Sequence, residues 1–559
     1  MWFSKKNKVV LTPEEKKRLK QQRIKLILSG TLLGISFPPF PFPFSLLMFG
    51  VLISFFSVIA ERKTLAELNR ATYLAFFVFS AITLYWVGSW QATADPYLMI
   101  SGVMLVFFMP ILYMIPTTLI YFSRQIFPNK NTIWLYPLFF IALEYLHMIN
   151  EMSFPWLTLG SGLAKFLSFI QIADTIGVLG VSLVILFINV ILYEGCKNFN
   201  TDRKKSIIKF SVAFLIFIFF IVYGFIRINN YKSPAKHLKV GIIQPDIDPW
   251  DKWAGGNLDA LVNKYLTQSR QAIGEGSQLL LWPETALPVY LLNGNHGSTL
   301  DSIHSLLDKS GNYLLTGMPD MRYYDDNDTK PPDVKYAAEE KFYYATYNAI
   351  YFFSPGNFEI QKYGKMKLVP FGERVPYVDK LPFLGKLLKW GVGLSGWNVG
   401  QDTTVFIMKD DADDTIKVNG LVCYESLYPD FVSSFVHKGA QIITVVTNDS
   451  WYGRLSGPFQ HKEIAVLRAI ENRRSVLRSA NGGVSCFINP VGKTIVETEM
   501  FQTTHLTVDV PLSEEETFYT KNPLIVPVLC SAFSVWIIGL FILLRLKKIL
   551  FKEEDEKNN

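Results

Sequence analysis

Long apolar stretches follow one another along the first 230 residues, and one more lies near the C-terminus. A helix needs about 20 mostly apolar residues to cross the hydrocarbon core of a bilayer, so stretches of this length predict membrane spans. Eight candidate stretches cover 24–40, 43–60, 71–90, 98–121, 132–150, 169–193, 208–228 and 524–545. The pattern predicts a multi-pass α-helical membrane domain with seven spans over 24–228, and an eighth transmembrane helix over 524–545.

The segment 237–515, between the seventh and eighth spans, has a different pattern. Short β-like runs alternate there with amphipathic stretches, which is typical of an α/β domain. The predicted strands cover 239–243, 279–282, 313–316, 348–352, 419–423, 442–446, 484–488 and 506–510. The acidic segment 322–342 predicts a polar surface loop, and 410–414 a charged turn.

Composition and charge support this division. Half of the 559 residues are hydrophobic, 44 are Phe and 18% are charged, whereas soluble chains carry about 25% charged residues. Lys and Arg of short loops stay on the cytoplasmic side during insertion. They cluster in the tail 1–23 and after spans two (Arg62, Lys63, Arg70), six (Lys197, Arg203, Lys204, Lys205) and eight (Arg545, Lys547, Lys548). We therefore expect both tails, 1–23 and 546–559, to be cytoplasmic and 237–515 to face outward. The net charge of +7 follows from this bias and does not indicate nucleic-acid binding.

The four cysteines do not form a disulfide framework, because Cys196 and Cys530 lie at or in spans. Cys423 and Cys486 lie in the polar segment, where a pair between them stays open. Neither a CxxC motif nor the Cys/His spacing of a zinc site occurs. We expect no structural metal.

Three residues with useful chemistry, Glu284, Lys365 and Cys423, stand in motifs at the ends of predicted strands. The motifs are Trp282-Pro-Glu-Thr-Ala-Leu-Pro288, Tyr363-Gly-Lys-Met-Lys-Leu-Val-Pro-Phe-Gly-Glu373 and Cys423-Tyr-Glu-Ser-Leu-Tyr-Pro-Asp430. A sharp turn after a strand would expose the Cys423 sulfur near a helix N-terminus, which favours thiolate. The apolar approach to Glu284 would raise its pKa toward that of a general base. Taken singly, the three are better explained as a small buried side chain, a solvated carboxylate and a surface charge.

Together the three motifs resemble the nitrilase superfamily, in which a Glu, a Lys and a Cys in this order form the catalytic set. The later Thr447-Asn-Asp-Ser-Trp-Tyr-Gly453 strengthens the resemblance and makes Asn448 a supporting residue. The resemblance implies an α-β-β-α sandwich for 237–515.

A nitrilase-like domain held between seven spans and an eighth resembles the apolipoprotein N-acyltransferase family. Further signatures are Leu368-Val-Pro-Phe-Gly-Glu-Arg-Val-Pro376, Gly457-Pro-Phe-Gln-His461 and Arg478-Ser-Ala-Asn-Gly-Gly483. The resemblance implies that Glu373, Tyr424 and Glu425 join the active site, with the two glutamates orienting Lys365 or the substrate. It also implies a substrate-side Trp, for which Trp253 is the candidate and Trp250 its rival.

The resemblance further implies the reaction. A phospholipid donor, phosphatidylethanolamine by expectation, gives a fatty acyl chain to Cys423 as a thioester. The chain then passes to the α-amine of S-diacylglyceryl-cysteine in an apolipoprotein, with no cofactor. The expected location is a bacterial inner membrane with the catalytic domain in the periplasm. One alternative is a membrane-tethered amidase or thioesterase, which releases the acyl group to water. The other is a transporter or scaffold with an inactive nitrilase domain. This second alternative predicts that a catalytic residue is replaced, whereas Glu284, Lys365 and Cys423 are all present.

Ionisable residues inside predicted spans are costly unless they are paired. For Glu144, His147 and Asp174 we favour hydrogen bonding between helices over catalysis, with Asp174 near the membrane interface. No carboxylate partner can be assigned to His461 from the sequence, and it is interpreted as structural. The role of the acidic insertion at 320–340 stays open.

Overall fold

The computed structural model describes residues 12–381, Phe383 and 396–557. Residues 1–11 of the predicted basic tail, and 558–559 of the C-terminal one, lie outside the described residues. The helices of the membrane domain are α1 (Pro13–Ile35), α2 (Leu52–Glu61), α3 (Leu65–Leu84), α4 (Pro96–Leu112), α5 (Met114–Ile126), α6 (Tyr136–Ile149), α7 (Leu167–Ile170), α8 (Ala173–Asn198) and α9 (Arg203–Asn229). Short 3-10 turns connect several of them, at Phe44–Phe49, Tyr85–Gly88, Thr132–Leu135, Pro155–Leu157 and Leu159–Leu163.

Within the described residues, seven helical segments are long and apolar enough to cross a membrane. They are Phe44–Glu61, Leu65–Gly88, Pro96–Ile126, Thr132–Ile149, Ala173–Asn198, Arg203–Asn229 and Ile525–Leu550. Each coincides with a predicted span. The remaining predicted span, 24–40, corresponds to the apolar second half of α1 and the loop after it; the first half of this helix carries a run of charged residues. The predicted multi-pass helical domain is confirmed.

The α/β domain contains two sheets. Its helices are α10 (Pro249–Trp253), α11 (Leu258–Gly274), α12 (Gly297–Ser310), α13 (Pro429–His437), α14 (Ser456–Asn472) and α15 (Phe518–Lys521), followed by the long C-terminal α16 (Ile525–Lys557). Its strands are β1 (His237–Gln244), β2 (Leu279–Trp282), β3 (Tyr313–Tyr324), β4 (Lys335–Ala337), β5 (Phe342–Ser354), β6 (Asn357–Gly364), β7 (Val405–Lys409), β8 (Thr415–Asn419), β9 (Leu421–Val422), β10 (Ile442–Thr447), β11 (Ser475–Ala480), β12 (Cys486–Ile488), β13 (Thr494–Glu497) and β14 (Thr504–Pro511). Two 3-10 turns, Cys423–Leu427 and Asp449–Tyr452, follow β9 and β10.

The strand orders show how the two sheets are built. One runs β14-β1-β2-β3-β5-β4 with β6 on β5, and the other runs β13-β12-β11-β10-β8-β7 with β9 on β10. Strands β1, β2 and β3 pair in parallel, as do β9, β10 and β11. Reactive residues that follow parallel strands therefore gather at one edge of each sheet.

Alternating side chains along the strands divide each sheet into two buried faces. In β1, Leu238, Val240 and Ile242 join the core between the sheets, while Ile243 joins the cluster formed with α11 and α12. Period-two alternation of this kind is expected of strands covered on both sides. The rings of Phe352 and Phe406 stack across the sandwich with centroids 5.1 Å apart. The expected α-β-β-α sandwich is confirmed.

Gln460 on α14 joins the α/β domain to the membrane domain through hydrogen bonds. Its side-chain oxygen accepts hydrogen bonds from the indole N–H of Trp86 and of Trp156, at 3.1 and 2.8 Å. Its amide donates to the carbonyls of Pro38 and Thr83, at 3.0 and 3.2 Å. The glutamine of the 457–461 motif thus satisfies four polar groups of the membrane domain.

Ion pairs of Asp174 also join the two domains. Asp174 at the start of α8 pairs with Arg227 of α9 at 2.6 Å and with Arg473 of the α/β domain at 2.7 Å. Glu144 accepts a hydrogen bond from the backbone N–H of Leu159 at 2.7 Å. These contacts pair Asp174 across the junction of the two domains and engage one carboxylate oxygen of Glu144.

Two expectations are corrected, and the open question of a Cys423–Cys486 pair is answered. The segment 322–342 is not a plain surface loop, because β3 extends to Tyr324 and pairs with β5 up to Tyr343, and β4 adds to the same edge. The stretch 325–334, which contains the run of aspartates, connects β3 to β4 as a loop. The predicted strand 419–423 is broken between β8 and β9. Cys423 and Cys486 are not paired, and each has a free thiol.

Candidate active site

Cys423 begins the turn that follows β9, at the carboxyl edge of the second sheet. Its φ of +52° lies in the left-handed region, which costs a non-glycine residue about 1 kcal/mol or more and recurs where a functional side chain must be aimed. Strand β10, which pairs with β9, ends beside it at Thr447. The expected sharp turn after a strand is present.

The protonation state of Cys423 differs from the expectation. Burial raises the pKa of the thiol well above its ordinary value, and the nearby Glu284 carboxylate raises it further, while Lys365 opposes them. The raised pKa favours the thiol over the expected thiolate in the resting protein. A nucleophile in this state needs a base to take its proton at the moment of attack.

Glu284 lies two residues beyond β2, at the edge of the first sheet, and is 7% exposed. One carboxylate oxygen accepts a hydrogen bond from Asn348 at 2.8 Å, and the other accepts one from the backbone N–H of Asn448 at 3.1 Å. Gly317 makes room for this segment, since a Cβ there would lie 2.6 Å from the Glu284 Cα. The carboxylate is therefore held from both sheets.

Lys365 directly follows β6 and is 1% exposed. Its ammonium donates to Glu373 at 2.8 Å and to Glu284 at 3.4 Å. Burial alone would lower the pKa of Lys365, but the Glu373 and Glu284 carboxylates outweigh it and raise the pKa above its ordinary value. Lys365 is a permanent cation at neutral pH, and the surface-charge interpretation is excluded by its burial.

Asn348 on β5 links the two glutamates, since its amide donates to Glu284 at 2.8 Å and to Glu373 at 3.0 Å. Asn348 was not among the predicted site residues. A polar Asn at the start of an otherwise apolar predicted strand was the available signal.

One cavity joins these groups to the membrane domain. The catalytic candidates Glu284, Lys365 and Cys423 line it together with Glu373 and Asn448. The other walls come from α4, α10 and the loops around 369–372, 397 and 451, and their residues are Asp95, Leu98, Trp250, Trp253, Thr285, Asn348, Val369, Gly372, Trp397, Trp451 and Tyr452. Both Trp250 and Trp253 line the cavity, so geometry does not choose between them.

Two residues implied by the resemblance lie behind the cavity. Glu425 is fully buried, and its carboxylate accepts from the Tyr363 hydroxyl at 2.6 Å and from the backbone N–H groups of Met366 and Val422 at 2.7 and 2.9 Å. It therefore ties the lysine loop to the cysteine turn and makes no hydrogen bond to the Lys365 ammonium. The Tyr424 hydroxyl donates to the carbonyl of Ser153 at 2.8 Å, in the membrane domain.

A buried ion-pair network contacts the turn Cys423–Leu427 on the side of α14. His461 bonds Asp449 at 2.9 Å, and its other ring nitrogen lies 2.9 Å from the Ser426 hydroxyl and 3.2 Å from the Cys423 carbonyl oxygen. Arg478 donates to Asp449 at 2.9 Å. Asp449 is thus the carboxylate partner that could not be assigned from the sequence, since the two residues are 12 positions apart and meet only through the fold.

This network is also the place to test for a metal. Possible ligand atoms of Cys423, Asp449 and His461 lie within 4.8 Å of one another. Both Asp449 oxygens are already engaged, one by His461 and Thr447 and the other by the Arg478 guanidinium, whose charge opposes a cation. The donor set fits an ion-pair network better than a metal centre.

The acidic insertion reaches the loop that carries Glu373. Asp333 pairs with Arg374 at 2.6 Å, and its backbone carbonyl accepts from Asn398 at 2.6 Å. Arg374 also pairs with Asp379 at 2.6 Å. The insertion therefore holds Arg374, the residue that follows Glu373, through an ion pair.

Comparisons with known proteins cover nearly the whole chain. Residues 239–519 match the carbon-nitrogen hydrolase family, and residues 29–191 match the N-terminal domain of apolipoprotein N-acyltransferase. The apolipoprotein N-acyltransferase of Chlorobaculum tepidum is 34% identical over 513 residues, which cover 91% of this chain and 94% of that protein. The one of Geobacter metallireducens is 30% identical over 505 residues, which cover 89% and 90%.

Among solved structures, Saccharomyces cerevisiae Nit3, a member of branch 10 of the nitrilase superfamily, aligns with 53% of this chain and 97% of its own at a TM-score of 0.37 and 16% identity. An amidase from Nesterenkonia aligns with 52% of this chain and 94% of its own at a TM-score of 0.32 and 16% identity.

Proposed function

Because the chain belongs to the apolipoprotein N-acyltransferase family, we propose that Cys423, Glu284 and Lys365 carry out its acyl transfer through a thioester, with a phospholipid as donor. One observation carries the assignment of these residues. A thiol, a carboxylate and a buried ammonium, which come from three separate motifs and both sheets, line the same cavity.

In the first half-reaction Glu284 takes the proton of the Cys423 thiol while the sulfur attacks the ester carbonyl of the donor. The Lys365 ammonium and the backbone N–H of Tyr424 stabilise the oxyanion; each such donor is typically worth about 3 kcal/mol of barrier. When the intermediate collapses, the carbon–oxygen bond breaks and Glu284 returns its proton to the leaving oxygen. A lysophospholipid departs and a thioester remains.

In the second half-reaction the α-amine of S-diacylglyceryl-cysteine attacks the thioester. Glu284 accepts a proton from the amine, and the carbon–sulfur bond breaks as the amide forms. The departing Cys423 sulfur recovers the proton from Glu284, so the enzyme returns to its resting state. Glu284 thus serves both halves.

The test is the intact mass of the full-length protein in detergent after incubation with a phospholipid. We expect an adduct of one acyl chain on Cys423, discharged by a diacylglyceryl peptide as the N-acyl product. Cys423→Ala should give no adduct. Cys486→Ala is the matched control, since Cys486 is fully buried in β12, away from the cavity lining. Release of free fatty acid without N-acyl product would favour hydrolysis, and adduct formation by Cys423→Ala would contradict the mechanism.

We further propose that the donor reaches Cys423 along the membrane face of α4. Leu98 of this helix lines the cavity, and its neighbours Ile100, Met104 and Phe107 are each more than half exposed on the helix surface. A chain that follows this face gains about 0.8 kcal/mol, or about fourfold in affinity, for each methylene that it buries. A short-chain donor should therefore be much poorer at equal concentration, and equal rates for both donors would contradict this route.

The proposed orientation places the α/β domain in the periplasm and both termini in the cytoplasm of a bacterial inner membrane. Support comes from the Lys and Arg residues beside the spans. A reporter fused near Ser310 should behave as non-cytoplasmic, and one after Asn559 as cytoplasmic. The reverse readings would contradict the orientation.

A further inference from the structure

The cavity has more negative than positive groups on its walls. Three carboxylates line it, those of Asp95, Glu284 and Glu373, against one ammonium, that of Lys365. Lys365 is already bound by both glutamates. Lys252 lies close by but does not line the cavity, because its buried ammonium donates to the Thr285 carbonyl at 2.9 Å. Asp95 is therefore the carboxylate left to attract a ligand of positive charge.

Aromatic rings surround the same space. Four indoles, those of Trp250, Trp253, Trp397 and Trp451, contribute to the lining. Trp250 and Trp451 pack edge to face, with centroids 4.8 Å apart and planes at 87°. Indole faces attract cations, ammonium groups included, through the quadrupole of the ring.

Asp95 is held in place at this wall. Its carboxylate accepts from the backbone N–H of Tyr97 at 2.9 Å and so caps α4. The preceding loop is tied to the catalytic side of the cavity, since Ser89 and Gln91 both donate to the Trp451 carbonyl, at 2.7 and 3.3 Å. The carboxylate therefore belongs to a built wall between the two domains rather than to a free loop.

We propose that Asp95 and the tryptophans form a binding subsite for a primary ammonium group. The inference rests on the proposed function, in which two reactants carry such a group: the ethanolamine headgroup of a donor, and the α-amine of the acceptor before it loses its proton. An anionic headgroup without an amine would gain nothing from a carboxylate and aromatic faces. Asp95 is thus a specificity-determining residue at the membrane end of the cavity.

The donor arm of the test uses two phospholipids with identical chains, phosphatidylethanolamine and phosphatidylglycerol, in the same detergent micelles. The rate of thioester formation on Cys423 is measured for the full-length protein and for Asp95→Asn, which removes the charge and keeps the helix cap. If the headgroup supplies the ammonium, Asp95→Asn should slow the ethanolamine lipid about five- to tenfold and leave the glycerol lipid unchanged.

The acceptor arm starts from preformed thioester and measures its discharge against the concentration of a diacylglyceryl peptide with a free α-amine. If the acceptor supplies the ammonium, Asp95→Asn should raise the KM of this peptide by about the same factor. Discharge by the neutral nucleophile hydroxylamine should not change. The two arms thus distinguish the two sources.

Asp202→Asn is the matched control, since Asp202 caps α9 through the backbone N–H of Lys205 at 3.1 Å and lies outside the cavity lining. The control should behave as wild type in both arms. Unchanged donor preference and unchanged acceptor KM in a stably folded Asp95→Asn protein would overturn the subsite. Failure of the proposed function has a different signature, because the wild-type protein would then form no thioester from either lipid.

Discussion

Glu373→Gln tests how the buried charge of Lys365 is maintained. The ammonium is 1% exposed, and Glu373 at 2.8 Å is the nearer of its two carboxylate partners. Removing one partner of a buried ion pair costs about 3–5 kcal/mol, because the remaining charge is left uncompensated. The glutamine keeps one hydrogen-bond acceptor, worth about 1 kcal/mol, and Glu284 stays in place.

These values leave a loss of about 3 kcal/mol in the stabilisation of the ammonium, which corresponds to roughly a 100-fold fall in the rate of thioester formation. The pH dependence should change as well. In the wild-type protein the pKa of Lys365 is raised, so the ammonium persists and the rate has no alkaline limb from this group. Without Glu373 the pKa falls, and because the protonated form is the active one, the rate is lost as pH rises through the new value.

The assay is single-turnover formation of the Cys423 thioester, followed by intact mass between neutral and alkaline pH. Glu340→Gln, in the exposed part of the insertion, removes the same charge away from the cavity and should match wild type. A Glu373→Gln protein with wild-type rate and a flat pH profile would show that Glu373 does not maintain the lysine charge, and the reasoning would fail.

Three further variants probe the supports of the site. Gln460→Leu leaves the indole N–H groups of Trp86 and Trp156 without their acceptor, at about 1–3 kcal/mol for each buried group, so the apparent Tm should fall by about 2–5 °C. An unchanged Tm would argue against a role of Gln460 in joining the two domains. His461→Ala should slow thioester formation about tenfold at an unchanged KM for the donor, because the ring positions the Cys423 carbonyl and does not touch the lipid. His461→Gln should recover part of the rate. A change in KM alone would contradict this role. Tyr424→Phe should keep nearly full thioester formation and lose about 1 kcal/mol of stability, whereas a loss beyond about tenfold in rate would return Tyr424 to the catalytic residues.

The membrane spans could be predicted because their signal is local. About twenty consecutive apolar residues leave few alternatives for a chain in a bilayer, and each predicted span from 43 onward coincides with a helix. The same holds for Glu284 and Cys423, which stand directly beyond the apolar runs of β2 and β9. Lys365 follows the mostly polar β6, which was not among the predicted strands, and was identified by its motif alone. What local pattern could not provide was the state of these groups: the Cys423 thiol is protonated because burial raises its pKa, and burial is a property of the assembled sandwich.

The contacts that the sequence did not predict, those of Asn348, His461 and Glu425, form only in the tertiary structure. Asn348 is an ordinary strand residue until it meets two glutamates that lie 64 and 25 positions away. His461 gains its carboxylate when α14 packs against the turn at Asp449. Glu425 was expected to orient Lys365 or the substrate, yet its carboxylate accepts hydrogen bonds from the backbone N–H groups of Met366 and Val422 and so joins two segments of the backbone.

The construction of the cavity bears on why this site should transfer an acyl group to an amine rather than to water. Hydrolysis of a thioester requires free access of water to its carbonyl, and closing a site against water is a general way to suppress that side reaction. Here four indole rings and Leu98 of α4 line the same cavity as the Cys423 sulfur. On the proposed route along α4, an acyl chain in contact with this helix would cover part of the approach along which water would come. An acceptor bearing an ammonium is drawn to the negative walls by charge–charge attraction, which uncharged water does not have. A Cys423 thioester with a short acyl chain makes fewer contacts with α4, so it should show a higher ratio of hydrolysis to transfer than a long-chain thioester. An unchanged ratio would place the discrimination against water in the α/β domain alone.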